Sequence, residues 1–202
     1  MSHRPIPSIT LCLLVSSLLV SGQVRTPDDR DWDWLSQHRS EALDRLLPVE
    51  HDGAYVAYRQ YRDLHQDVPE QYFTIRMADS TGSLEATVVR PVGASIQQQL
   101  LDMHMADRQA PLNSLVSRIK LQRHQLTSTT CGALRPRIEA LSKVAISIPA
   151  TDTIVLHPFV HRIVLDLGGG RIDASLHEDE QPLVRWARTT FDALSQCAKG
   201  QR

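Results

Sequence analysis

The chain has 202 residues, of which 42% are hydrophobic and 22% are charged, a composition typical of a folded globular protein rather than a disordered one. Its 22 basic and 23 acidic residues nearly balance, which excludes a strong electrostatic attraction to nucleic acid or to anionic lipid. We therefore expect no nucleic acid among its partners.

Residues 1–22 have the pattern of a secretory signal peptide. Arg4 gives a positively charged start, and an apolar run extends from Leu11 to Val20. This run has about ten residues, whereas a membrane-spanning helix needs roughly 20. Cleavage after Gly22 would release residues 23–202 as a mature domain that is not inserted in a membrane. An uncleaved anchor is the alternative.

The first elements of the mature chain are a predicted helix over residues 31–47 and a strand over residues 54–61. The helix follows from apolar side chains at helical spacing, and the strand from its β-forming residue types. The strand region carries aromatic and basic side chains that could stack on a sugar or hold an acidic ligand, namely Tyr55, Tyr58, Arg59 and Arg62. The alternative is an ordinary strand whose tyrosines pack inward and whose arginines are solvated.

The rest of the chain predicts hairpins separated by helices. Strands are expected over 72–77, 84–90, 153–156, 160–167 and 171–177, and helices over 94–105, from Pro111, over 132–144 and from Leu183 to Cys197. Because strands and helices do not alternate regularly, we predict the α+β class: a single domain with a mainly antiparallel sheet packed by several helices and covered on one face.

Two cysteines remain after the leader is removed, Cys131 and Cys197. In an oxidising compartment such a pair usually forms a disulfide, which would join the closing helix to the middle of the chain. The competing interpretation is a reactive Cys131 near the start of a helix, where the dipole favours thiolate. We predict the disulfide.

Three histidines near the last strands are candidate metal ligands or catalytic groups: His157, His161 and His177. Four-residue spacing brings two ligands together on a helix, but Pro158 and the strand-forming flanks make a helix unfavourable there. The acidic run at residues 178–180 is better explained by a favourable interaction with the start of the closing helix. We therefore predict neither a metal nor a cofactor.

The sequence contains no Gly-x-Ser-x-Gly motif, and its one asparagine, Asn113, lies outside an N-glycosylation motif. The second observation favours a bacterial periplasm or exterior over a eukaryotic surface. Our leading hypothesis is a non-enzymatic exported domain that binds or scaffolds an envelope or extracellular protein or ligand. The alternative is a small exported hydrolase, metal-assisted through His157, His161 and His177.

Overall fold

The computed structural model describes residues 26–49, 54–62, 68–78, 82–145, 159–166, 170–177 and 179–201. The predicted leader at residues 1–22, the predicted strand over 153–156 and His157 lie outside these residues. No helix in the described part of the chain combines the length and the apolarity needed to cross a bilayer.

The described residues form five helices and six strands in a mixed order. The helices are α1 (Asp29–Leu46), α2 (Ile96–Ala106), α3 (Leu112–Val116), α4 (Leu134–Leu141) and α5 (Pro182–Lys199). The strands are β1 (Ala54–Arg62), β2 (Gln71–Met77), β3 (Leu84–Pro91), β4 (Leu121–Thr127), β5 (Phe159–Asp166) and β6 (Arg171–Leu176).

All six strands join one sheet in the order β4-β3-β2-β1-β5-β6, and every neighbouring pair is antiparallel. β1 lies at the centre because β2 pairs with one of its edges and β5 with the other. The α+β class with an antiparallel sheet is therefore confirmed.

Helices cover both faces of the sheet, so the expectation of one covered face is wrong. Val56 and Tyr58 of β1 pack with α4 and α5, whereas Ala57 between them packs with α1, α2 and α3. Successive strand residues point to opposite faces, so consecutive buried residues require two apolar layers. β5 has the same pattern at residues 163–165, all of which are buried.

Local capping fixes where α1 and α2 begin. Asp28 accepts from the backbone of Arg30 and Asp31, and the Asp31 carboxylate accepts in return from the Asp28 backbone, which forms a capping box. Ser95 caps α2 by accepting from the Gln98 backbone.

The disulfide between Cys131 and Cys197 is confirmed, with the two Cα atoms 5.4 Å apart. It joins the segment before α4 to the last turn of α5. A second link between these helices is the hydrogen bond that Trp186 Nε1 donates to the Arg137 carbonyl at 2.8 Å. Together they hold α4 and α5 as one layer over the sheet.

Candidate functional site

A cavity of about 240 Å³ lies beside the C-terminal end of α1, lined by Asp44, Pro48, Val49 and Arg162. Drug-sized ligands occupy pockets of roughly 300–1,000 Å³, so this cavity suits a smaller molecule. Asp44 comes from α1 and Arg162 from β5, and their Oδ1 and Nη1 atoms are 3.8 Å apart. One carboxylate and one guanidinium therefore sit side by side in its wall.

Arg59 is buried beneath the cavity lining and holds the Asp44 carboxylate in position. It is the cross-strand partner of Arg162, and its side chain is only 3% exposed. Its Nη1 donates to Asp44 Oδ1 at 2.7 Å and to the Leu47 carbonyl at 3.2 Å. A buried guanidinium needs such partners because burying a charge without one is costly. Arg59 thus orients Asp44 and is itself structural.

Two further sheet residues hold the end of α1, and with it the rim of the cavity. Arg123 Nη2 donates to the Leu46 carbonyl at 2.9 Å, and the Tyr72 hydroxyl donates to the Pro48 carbonyl at 2.7 Å. Burial raises the pKa of Tyr72 to about 12, so its hydroxyl stays a donor at neutral pH. The last carbonyls of a helix have no partner within the helix, and cations near them are favourable. The sheet thereby fixes Pro48 and Val49.

Arg162 is held by Asp173 of β6, whose carboxylate accepts from Nε at 3.2 Å and from Nη2 at 3.0 Å. These bonds hold the pKa of Asp173 below its usual range. Asp44 and Arg162 keep exposed side-chain fractions of 49% and 25%. The cavity therefore offers two ordered, opposite charges that a ligand can reach. The negative charge of Asp44 and the positive charge of Arg162 balance each other.

The four ligand-binding candidates on β1 do not form one cluster. Tyr58 and Arg59 point to opposite faces of the sheet, as alternation along a strand requires. Tyr55 packs against the core shared with α4 and α5, and the Arg62 guanidinium lies 5.0 Å from the centroid of the Phe159 ring. Arg59 is buried, so the alternative of solvated arginines is wrong for this residue.

His161 lies in a buried hydrogen-bonded chain on the opposite face of the sheet. Its Nδ1 is 3.1 Å from the Tyr58 hydroxyl, which also donates to Gln60 Oε1 at 3.0 Å. Its Nε2 is 2.8 Å from Asp179 Oδ1, and the other oxygen of Asp179 is 3.1 Å from Arg188 Nη1. Asp179 thus binds a histidine and an arginine, and it lies two residues before Gln181, the N-cap of α5.

Within this hydrogen-bonded group, the surroundings of His161 and Tyr58 favour their neutral forms. Burial lowers the pKa of His161, and the hydrogen bond to Asp179 only partly opposes it. Burial also raises the pKa of Tyr58. A histidine paired with a carboxylate is the geometry of a general base, but both ring nitrogens of His161 already have partners and the residue is fully buried. The arrangement ties β1, β5 and the segment before α5 together.

The structure describes two of the three candidate histidines, His161 and His177, and they differ in burial. His161 is buried, His177 is exposed after the end of β6, and His157 lies outside the described residues. Across the described ranges, no group of three or more histidine, cysteine or acidic side chains could hold a metal ion.

Asp44 and Arg162 were missed by reasoning from the sequence, and the contact of Asp179 with His161 was not predicted, because the partners are far apart along the chain. Asp44 is 15 residues from Arg59, and His161 is 18 residues from Asp179. The one available signal was the alternation of β1, which separates Arg59 from Tyr58.

Comparison of this chain with protein family models, with curated proteins and with solved structures finds no match.

Proposed function

We propose that this chain is an exported, non-enzymatic domain that binds a small polar ligand in the cavity beside α1. The observation that carries the proposal is the ordered pair of opposite charges, Asp44 and Arg162, in the wall of a cavity of about 240 Å³. Each charge is held in place by a partner behind it, Arg59 and Asp173. Such preorganisation lowers the entropic cost of binding.

Export is supported by the disulfide and by the leader pattern of residues 1–22. Disulfides persist in oxidising compartments and are rare in the cytosol. The direct test is the amino terminus of the native protein: cleavage after Gly22 predicts a mature chain that begins at Gln23 and is recovered outside the cytoplasm. Recovery of reduced, full-length protein from the cytosol would contradict export.

A binding role is favoured over catalysis because His161, the candidate histidine with a carboxylate partner, is buried and has partners at both ring nitrogens. His161 and Tyr58 are fully buried and bonded to each other, so neither reaches a substrate in this arrangement. The small hydrolase with His157, His161 and His177 remains the second candidate, supported by the 2.8 Å contact of His161 with Asp179. It requires bound metal in the purified protein, with metal lost in His161→Ala, and turnover on a hydrolase substrate panel.

The binding test is a panel of small anionic, cationic, zwitterionic and neutral polar compounds, screened by thermal shift and then by calorimetry. We expect at least one class to bind, and Arg162→Gln to weaken its affinity about tenfold, because a hydrogen bond to a charged group is lost. Arg135→Gln is the matched control, since Arg135 is exposed on α4 over the opposite face of the sheet. Equal affinity in both variants, or no binding by any class, would contradict the proposal.

A further inference from the structure

A second cavity, of about 40 Å³, lies between the C-terminal half of α5 and the strands β3 and β4. Its sheet side is a two-by-two patch in which Arg90 pairs with Gln122 and Val88 pairs with His124. Residues of α5 close it from the other side. A water molecule needs roughly 10–15 Å³ in a cavity, so the space holds about three waters or one small ion.

The charged lining of this cavity is basic. Arg90 and Lys199 contribute positive charges, and Gln122 and His124 contribute further donors. No acidic side chain appears in the part of the lining that the structure describes. The Arg90 guanidinium is positioned 4.9 Å from the centroid of the Phe191 ring, which orders it without neutralising it.

The Ser195 side chain is a buried polar group in the wall of this cavity. Ser195 is 4% exposed, and its hydroxyl has no hydrogen-bond partner within the described ranges. Serine and threonine in helices usually bond back to a carbonyl of the preceding turn, as Thr189 does on the same helix at 2.9 Å from the Arg185 carbonyl. A buried hydroxyl without a partner is unfavourable unless something else supplies one.

The C-terminal end of α5 opposes an anion at this cavity, because its carbonyls carry partial negative charge. The Gly200 amide donates to the carbonyls of Gln196 and Cys197 and so partly neutralises that end. The disulfide at Cys197 fixes the same turn to the rest of the fold. The turn of α5 next to Ser195 is therefore tied to the fold close to β3, which carries Arg90.

We propose that this second cavity binds a small oxyanion, with the Ser195 hydroxyl donating to it and Arg90 and Lys199 balancing its charge. A phosphate or sulfate group and a carboxylate share the oxygen acceptors that this lining recognises. The site is separate from the cavity beside α1 and does not depend on what binds there.

The test is titration of the oxidised protein with inorganic phosphate, sulfate or acetate, with chloride at matched ionic strength as the reference. We expect an oxyanion to bind where chloride does not. Ser195→Ala should weaken its affinity about tenfold, because it removes a hydrogen bond to a charged group, and Lys199→Met should weaken it because it removes a balancing positive charge. Lys143→Met is the control because Lys143 is an exposed lysine after the end of α4.

The stability of Ser195→Ala, measured with and without anion, shows whether Ser195 binds the anion or only packs in the core. Without added anion the variant should be as stable as the wild type or more stable, because it removes an unpartnered buried hydroxyl. With anion it should gain less stability than the wild type. Equal anion affinity in Ser195→Ala and wild type, or an identical response to chloride, would overturn the proposal. The part of oxyanion binding that is lost in Ser195→Ala should persist in Arg162→Gln, which distinguishes this site from the one beside α1.

Discussion

His161 Nε2 lies 2.8 Å from Asp179 Oδ1, and this contact joins β5 to the segment that leads into α5. The two residues have very different surroundings, since the His161 side chain is 0% exposed and the Asp179 side chain is 42% exposed. The histidine therefore titrates inside the core while its partner is anchored by Arg188 at the surface.

His161 makes the stability of the fold depend on pH. Burial holds its folded-state pKa below the ordinary 6.5, so the unfolded chain binds more protons in the window below that value. We expect stability to be greatest above pH 6.5 and to be lost as the pH falls through this window. Urea unfolding at a series of pH values should give a steeper loss in the wild type than in His161→Gln. An unchanged slope in His161→Gln would contradict the assignment.

Arg108 should govern stability in more acidic conditions. Its guanidinium donates to Asp28 Oδ2 at 2.7 Å and to Asp31 Oδ1 at 3.0 Å. The hydrogen bond from Arg108 holds the pKa of Asp28 at about 2. Lowered carboxyl pKa values add stability above the unfolded value of 3.8, which is lost as the pH falls toward 2. Arg108→Gln should lower the free energy of unfolding at neutral pH. It should also reduce the further loss of stability as the pH falls from 3.8 toward 2, measured by urea unfolding at a series of pH values.

Arg108→Gln should leave in place the His161 contribution to the loss of stability below pH 6.5, which depends on burial and on Asp179. If Arg108→Gln lost as much stability between pH 3.8 and 2 as the wild type, the capping box of α1 would be keeping the pKa values of Asp28 and Asp31 low without Arg108.

Asp44 and Arg59 form an asymmetric pair, since the Asp44 side chain is 49% exposed and the Arg59 side chain is 3% exposed. Asp44→Ala leaves a buried cation with one acceptor fewer, and we expect it to destabilise the fold by about 2 kcal/mol, below the full value for a buried pair because Asp44 is half exposed. Arg59→Met removes the buried charge and should cost less. Urea unfolding of both variants tests this order, and a larger loss in Arg59→Met would contradict it.

The disulfide closes a separation of 66 residues between Cys131 and Cys197. In the chain-entropy model, removing such a link costs about 4 kcal/mol, a large part of the roughly 5–15 kcal/mol that stabilises a typical domain. The double variant Cys131→Ala with Cys197→Ala should therefore unfold at much lower urea concentration and become insensitive to reductant. An unchanged midpoint would show that α4 and α5 are held by packing alone.

The class of the fold could be predicted because its elements have strong local patterns. Ser95 marks the start of α2, and the alternation of Leu84, Ala86 and Val88 marks the face of β3 that packs inward. The second layer of helices could not be predicted from a search for alternation alone. Its signal lies in the consecutive buried residues of β1 and β5, which central strands buried on both faces require.

The candidate site was harder to predict because it is made of pairs distant along the chain. Arg59 and Arg162 become neighbours only when β5 pairs with β1, and Asp44 joins them only when the end of α1 docks on the sheet. Local pattern carries no information on strand order, so tyrosines and arginines adjacent in sequence suggested a cluster that the strand divides between two faces.

The cavity beside α1 is tested most directly by amide chemical-shift mapping of the isotopically labelled protein with the small polar compounds that bind it. We expect shifts concentrated at Asp44, Val49 and Arg162 that saturate with ligand and are strongly reduced in Arg162→Gln. Saturable shifts that lie elsewhere on the domain and persist in Arg162→Gln would show that this cavity is not the binding site.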